Sequence, residues 1–193
     1  MFENLTFIGS LITILGPIFL VFYFLFDSII QANLKGIIYI LGVIGTCIMT
    51  ILVGKSISLR NYNEPDRFMC FPITIKNMVN ISNLPLSQSI YGFTMFFIAV
   101  PLYTYKYFNY NILSIVLFTM FILIDFFLLV QYKCFDFKQI ILSLLLGSFI
   151  GIIYSIILLK TLKKDYIYIA GAIQDETCNL PKQSKFKCEL KKR

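Results

Sequence analysis

The sequence contains no histidine and no tryptophan, and only 14% of its 193 residues are charged. Soluble domains carry about a quarter of charged residues, so this composition argues against a water-soluble globular protein. The absence of histidine removes the commonest general acid and base, the commonest metal ligand and the usual pH switch of proteins. Zinc sites and catalysis by Ser-His, Cys-His or phosphohistidine groups are therefore not expected, and no metal or other cofactor is predicted.

Long apolar segments are what the sequence has in place of charge. A helix of roughly 20 apolar residues crosses the hydrocarbon core of a bilayer. We therefore expect an all-α, polytopic transmembrane helical bundle over residues 1–160, with a loop at 55–87 and a polar, basic tail at 161–193. The predicted spans are residues 5–26, 36–54, 88–105, 112–131 and 139–159.

The distribution of basic residues predicts the orientation of this bundle. With five spans, the N-terminus and the loop at 55–87 lie on one side of the membrane, and the tail lies on the other. The first side carries Lys55, Arg60, Arg67, Lys76, Lys133 and Lys138, and the second carries Lys35, Lys106 and the larger set of basic residues from Lys160 to Arg193. Because basic flanks stay cytoplasmic, we expect a cytoplasmic tail and a non-cytoplasmic N-terminus and loop.

The basic tail has three open interpretations. It lies on anionic lipid headgroups, it binds a protein partner, or it is merely solvated. No feature of the sequence indicates a nucleic-acid partner.

Small residues recur every four positions along two of the predicted spans. This spacing lets helix backbones approach closely, and it favours packing within the bundle over dimerisation. The residues are Gly42, Thr46, Thr50 and Gly54 in the second span, and Ser143, Gly147, Gly151 and Ser155 in the fifth.

The predicted outer side collects most of the unusual polar residues. Arg60, Arg67 and Lys133 make that side cationic, while Ser87 and Ser89 stand at the N-terminus of the third span. Helix N-termini favour anions, and arginine matches the geometry of phosphate. These residues are therefore candidates for binding a phosphate headgroup, with solvated loop cations as the alternative.

The order of these segments resembles the type-2 phosphatidic-acid phosphatase superfamily, the integral-membrane lipid phosphate phosphatases. That family has three signatures: Lys-x6-Arg-Pro, then Pro-Ser-Gly-His at a helix start, then Arg-x5-His-x3-Asp two spans later. Here Arg60-x6-Arg67 resembles the first, Pro-Leu-Ser-Gln-Ser at 85–89 resembles the second, and Phe-Asp-Phe-Lys-Gln at 135–139 resembles the third. The resemblance covers residues 36–159 and implies a lipid-phosphatase-like bundle.

The departures from these signatures concern the catalytic positions. In the family, one histidine attacks phosphorus and the other protonates the leaving group. Gln88 stands at the position of the acid and Phe135 near that of the nucleophile. Loss of a covalent nucleophile costs on the order of 10⁶ in rate. The resemblance therefore implies a degenerate site without hydrolysis, in a protein that acts structurally or binds an anionic or phosphorylated lipid or a partner.

Asp125 is the one ionisable residue well inside a predicted span. A carboxyl group there is costly and usually faces protein or water. Two interpretations stay open. The first is an ion pair with Arg60, Arg67 or Lys133, or else a proton or cation site. The second is a protonated carboxyl that is hydrogen-bonded to a serine or threonine of a neighbouring helix.

The cysteines give one structural expectation. Cys70 and Cys134 share the predicted outer side, where a disulfide can form. Cys178 and Cys188 lie in the predicted cytoplasmic tail. No Cys-x-x-Cys pair is present, which argues against a zinc site.

The leading hypothesis is therefore a multi-pass membrane protein with a phosphatase-like bundle and no catalysis. Two alternatives stay open. One is an active phosphatase that uses Asp136 or Ser87 as its nucleophile. The other is a small transporter or channel centred on Asp125, against which stands the absence of any inverted repeat.

Overall fold

The computed structural model describes the backbone of residues 2–30, 34–57 and 82–161, and their side chains from Leu15 onward except that of Tyr110. Within these ranges the chain is all-helical, so the all-α part of the predicted fold class is confirmed, while the likeness to a lipid phosphatase stays a prediction. The helices are α1 (Phe2–Ile30), α2 (Lys35–Ser56), α3 (Leu86–Thr104), α4 (Ile112–Gln131) and α5 (Phe137–Thr161), with a 3₁₀ turn (Phe108–Asn111) that leads into α4.

Four of these helices, α2 to α5, are long and apolar enough to cross a membrane. The part of α1 whose side chains are described, Leu15–Ile30, is a shorter apolar helix. Such a set of helices is that of a multi-pass integral membrane protein. The loop at 55–87 is described only at its two ends, and the tail beyond Thr161 lies outside the described residues.

Helix α3 is the centre of the bundle. It is the least apolar of the four membrane-crossing helices and the most buried, with 56% of its most apolar stretch inside the protein. Its largest contact is with α5. A central helix can carry more polar groups because its neighbours supply their hydrogen-bond partners, and α3 does so at its N-terminal end.

The interface between α3 and α5 depends on residues without side chains. Gly147 lies against the backbone of Ser89, so closely that a Cβ atom would collide with the Ser89 carbonyl. One turn further, a Cβ on Gly151 would stand 2.6 Å from the carbonyl oxygen of Phe93. The small residues of the fifth predicted span therefore lie where two helix backbones touch, as close helix packing in membranes requires.

Gly42, one of the small residues of α2, faces aromatic side chains of the core. Tyr39, Phe93 and Phe97 are fully or almost fully buried in one cluster, and a Cβ added to Gly42 would collide with the ring of Phe93. The Tyr39 hydroxyl lies 2.8 Å from the Thr94 hydroxyl. The rings thus fill the space that Gly42 leaves, and the polar end of Tyr39 is paired.

Helix α4 presents the opposite pattern on much of its surface. Large apolar side chains along it are exposed, among them Leu113, Leu123 and Phe127. Exposed apolar surface of this extent is unusual for a soluble monomer and is the surface expected of a helix that faces lipid.

The contact of Gly147 with Ser89 yields a stability prediction. Replacing Gly147→Ala should lower the free energy of unfolding by about 1–3 kcal/mol, because the methyl group forces two packed helices apart. The matched control is Gly45→Ala on α2, where a Cβ would have no neighbour within 4 Å. That change should be neutral or stabilise the helix by up to about 1 kcal/mol. Unfolding in detergent measures both, and equal effects would contradict the packing described here.

Candidate functional site

The first turn of α3 makes side-chain contacts to two different helices. Ser87 donates a hydrogen bond to the Asp125 carboxyl on α4, with 2.8 Å between Oγ and Oδ2. Ser89 is fully buried, and its hydroxyl lies 2.6 Å from that of Thr50 on α2. The two serines therefore tie α3 to its neighbours on opposite sides.

A third contact comes from α5. The hydroxyl of Ser143 donates to the carbonyl oxygen of Pro85, the N-cap residue of α3, over 2.6 Å. This bond brings the segment at 85–89 to the first half of α5, which follows the segment at 135–139. Two of the three segments that resemble lipid-phosphatase signatures thus lie at the same end of the bundle.

Gln88 occupies the centre of this polar cluster. Its side chain is fully buried, and its Nε2 donates to Asp125 Oδ2 at 2.7 Å and to the carbonyl oxygen of Ile122 at 3.3 Å. The amide is therefore engaged with α4 inside the bundle. Its other atom, Oε1, is buried with no hydrogen-bond partner.

Asp125 is 2% exposed and accepts both of its hydrogen bonds through Oδ2. Its Oδ1 is buried without a partner. The bond to Ser87 is the contact with a serine of a neighbouring helix that one interpretation of the sequence expects. Lys133 is exposed, and Arg60 and Arg67 lie outside the described residues, so an ion pair with those arginines stays a prediction.

The segment around Phe135 begins α5, and the side chains of Asp136 and Gln139 take part in the start of that helix. Asp136 Oδ1 accepts from the Phe137 amide at 2.9 Å, while Gln139 Oε1 accepts from the Asp136 amide at 2.8 Å. The bond to Gln139 is one half of a capping box. The Asp136 carboxylate bonds to the amide of the next residue, while the Gln139 amide donates to the Asp136 backbone carbonyl at 2.9 Å. Phe135 itself packs beside Leu129 and Ile140. The helix cap was not predicted from the sequence, although the Asp-x-x-Gln spacing could have revealed it.

Lys133 has a backbone role as well as a charge. Its φ of 51° is left-handed, and its amide donates to the Val130 carbonyl at 3.1 Å while the Cys134 amide donates to that of Leu129 at 3.1 Å. These two bonds form a Schellman motif that ends α4. The ammonium group of Lys133 takes no part in this motif. It is exposed and lies at the same end of the bundle as Ser87.

Cys134 is disulfide-bonded, whereas Cys47 is free. The other half of the bond lies outside the described residues, as do Cys70, Cys178 and Cys188. The pairing of Cys70 with Cys134 therefore stays a prediction.

An apolar cavity of about 410 Å³ lies between α1, α3 and α4. Its walls include Leu15, Phe19, Tyr23, Tyr91, Phe118 and Phe121. Phe19 and Tyr23 are 66% and 63% exposed, so the cavity opens on the outer surface of the bundle. This cavity was not predicted from the sequence, because the sequence does not reveal that Gly16 of α1 leaves room for the Tyr91 hydroxyl of α3.

Metal chemistry finds no support in the part of the chain that the structure describes. No group of three or more carboxylate or cysteine side chains comes together there. The polar cluster is built instead from hydroxyls, one amide and one carboxyl, which suits hydrogen bonding.

Compared with known proteins, the chain matches no family model, no curated protein and no solved structure. The resemblance to lipid phosphate phosphatases therefore rests on the three sequence segments, and the chemistry of the site has to be argued from its own residues.

The bond between Ser143 and Pro85 yields a second stability prediction. Ser143→Ala should cost about 1 kcal/mol, because it removes a buried hydrogen bond between α5 and the start of α3. Ser56→Ala is the matched control, since Ser56 is exposed and bonds to the Leu52 carbonyl of its own helix at 2.9 Å. That change should stay within about 0.5 kcal/mol of the wild type. Equal losses in thermal unfolding would contradict a special role for Ser143.

Proposed function

We propose that this multi-pass membrane protein binds a membrane lipid in its helical bundle and does not hydrolyse it. The observation that carries the proposal is the apolar cavity between α1, α3 and α4. Its volume of about 410 Å³ falls within the roughly 300–1,000 Å³ typical of ligand sites. It opens on a surface of exposed aromatic side chains, where the hydrocarbon of a bilayer supplies the ligand.

The absence of hydrolysis is argued from Gln88 and from composition. Gln88 stands where the resemblance places a proton-donating histidine, and its amide is buried and bonded to Asp125. An amide in that position has no proton to give at physiological pH. The whole sequence lacks histidine, so the two-histidine mechanism of the resembled family has no residues to perform it.

The proposed lipid is anionic or phosphorylated. Arg60 and Arg67, from the first resembled signature, would supply phosphate contacts, and Lys133 would add an exposed charge at the same end. Ser87 and Ser89 are less suited to this role than the sequence implies, because both hydroxyls are engaged inside the bundle. The contact of Ser143 with Pro85 supports a phosphatase-like layout, since it joins the second segment to the helix that begins within the third.

The proposed orientation places Cys134 on the non-cytoplasmic side. The excess of basic residues in the tail supports it, and so does the disulfide at Cys134, because such bonds persist in oxidising compartments. Cys178 and Cys188 follow α5, which runs from the side of Cys134 to the other side. Cys70, in the loop on the side of Cys134, is therefore the partner we infer.

One experiment tests both halves of the proposal. Purified protein in detergent is incubated with phosphatidic acid, and bound lipid and released phosphate are measured together. We expect lipid bound by the wild type, several-fold less bound by Leu15→Trp, which fills the cavity, and no phosphate released by either. The matched control is Leu145→Trp, because Leu145 lies on α5, is 60% exposed and does not line the cavity.

Two outcomes would contradict the proposal. Equal lipid binding by Leu15→Trp and Leu145→Trp would remove the cavity as the binding site. Phosphate release that Asp136→Asn or Ser87→Ala abolishes would show an active enzyme with a non-histidine nucleophile. Comparison with diacylglycerol, which has no phosphate, separates binding of the headgroup from binding of the acyl chains. Binding of phosphatidic acid through arginine and lysine should also weaken as the salt concentration rises.

A further inference from the structure

Two buried acceptor oxygens at the contact of α3 with α4 have no donor. They are Asp125 Oδ1 and Gln88 Oε1. The two side chains touch, with 2.7 Å between Asp125 Oδ2 and Gln88 Nε2. Buried polar groups are almost always paired, and each exception calls for an explanation.

The orientation of the Gln88 amide is fixed by its neighbours. Its nitrogen lies between two acceptors, Asp125 Oδ2 and the Ile122 carbonyl oxygen. Rotating the amide by half a turn would place Oε1 against the Ile122 carbonyl oxygen, which can only accept, and would lose that bond. The unpaired atom is therefore the oxygen, and it needs a donor.

We propose that Asp125 and Gln88 form a proton-binding site, in which a proton on Asp125 Oδ1 is donated to Gln88 Oε1. That single proton pairs both orphaned oxygens at once. The carboxylic acid then donates through Oδ1 and accepts through Oδ2, and the amide does the reverse, so the two groups form a doubly hydrogen-bonded pair. Ser87 completes the site by donating a further bond to Oδ2.

Other donors fit these residues less well. A buried water needs room as well as two to four polar partners, and neither Asp125 nor Gln88 lines the apolar cavity between α1, α3 and α4. A bound metal ion would require several oxygens, whereas among the described side chains only these two oxygens are buried without a partner. A proton requires no additional space.

The surroundings provide no described positive charge to hold an ionised Asp125. Several titratable side chains among the described residues lie on the elements packed against α4. They are Tyr23 and Asp27 of α1, Tyr91 and Tyr103 of α3, Tyr107 before the 3₁₀ turn, and Lys138, Tyr154 and Lys160 of α5, with Asp136 just before it. Of these, Tyr91 interacts electrostatically with Asp125. Lys133, beyond the end of α4, and Lys138 are exposed.

The proton makes the contact between α3 and α4 neutral. Its release would leave a carboxylate in a low-dielectric interior with one oxygen unpaired, which is costly. Ionisation is therefore tied to entry of water or to movement of α4 away from α3. This site does not depend on lipid binding, and it provides a proton-sensitive element in the bundle whether or not a lipid occupies the cavity.

Infrared spectroscopy of the full chain in lipid nanodiscs tests the site directly. At neutral pH we expect a carbonyl band of a protonated carboxylic acid, displaced when aspartate is labelled with ¹³C at the carboxyl carbon. The band should be lost in Asp125→Asn, which can still accept from Ser87 and donate to Gln88 Oε1. The matched control, Asp136→Asn, keeps an N-cap side chain and should retain the band.

Gln88→Met supplies a second readout, because it removes the acceptor while keeping a similar volume. The band should then move to higher frequency, as expected of a carboxylic acid with a weaker hydrogen bond. A wild-type spectrum without a label-sensitive carboxylic-acid band at neutral pH would overturn the proposal. This outcome is measured on the wild-type protein alone. A band that persists in Asp125→Asn would overturn it as well.

Discussion

The arrangement of the helices depends on the polar first turn of α3, which lies among apolar helices. In a membrane no water pairs exposed polar groups, so each one must find a partner in the protein. The first turn of α3 carries Ser87, Gln88 and Ser89, and these side chains bond to α4 and α2. Ser143 of α5 bonds to the carbonyl just before that turn. One turn of helix therefore fixes the positions of three others.

Close packing of α5 against α3 at the same place brings Ser143 within reach of the Pro85 carbonyl. Gly147 of α5 lies against the backbone of Ser89, and Gly92 of α3 lies against the backbone of α5. Hydroxyl groups on short side chains can bridge helices only when the backbones are this close. The small residues and the polar residues of this end thus form a single arrangement, because neither set would be accommodated without the other.

The same arrangement limits the chemistry of the site. Gln88 and Ser87, which the resemblance places in a lipid-phosphatase signature, are engaged in holding helices together through Asp125. The lipid site that we propose uses the apolar cavity on the outer surface together with the charged end near Lys133. The proton site that we propose uses the acid–amide pair itself.

Much of the fold was predictable from the sequence, because uncharged apolar runs of the right length have few alternatives. The helices that span 36–54, 88–105, 112–131 and 139–159 follow from this alone, and all of them occur close to those bounds. The partner of Asp125 was not predictable, since the rotation of α4 about its own axis decides whether Asp125 meets Gln88 or lipid. The cavity likewise depends on Gly16 and Tyr91 meeting across two helices. Asp136 and Gln139, by contrast, carried a readable local signal for a helix cap.

The contact between Gln88 and Asp125 is the central claim, and a double-mutant cycle measures it most directly. Gln88→Leu, Asp125→Leu and the double variant are compared with the wild type by reversible unfolding in detergent. Each single change leaves a buried polar group without its partner, whereas the double change removes both groups. We predict that the double variant loses less stability than the sum of the single variants, by about 1–3 kcal/mol. Additive losses, with a coupling energy near zero, would contradict the account.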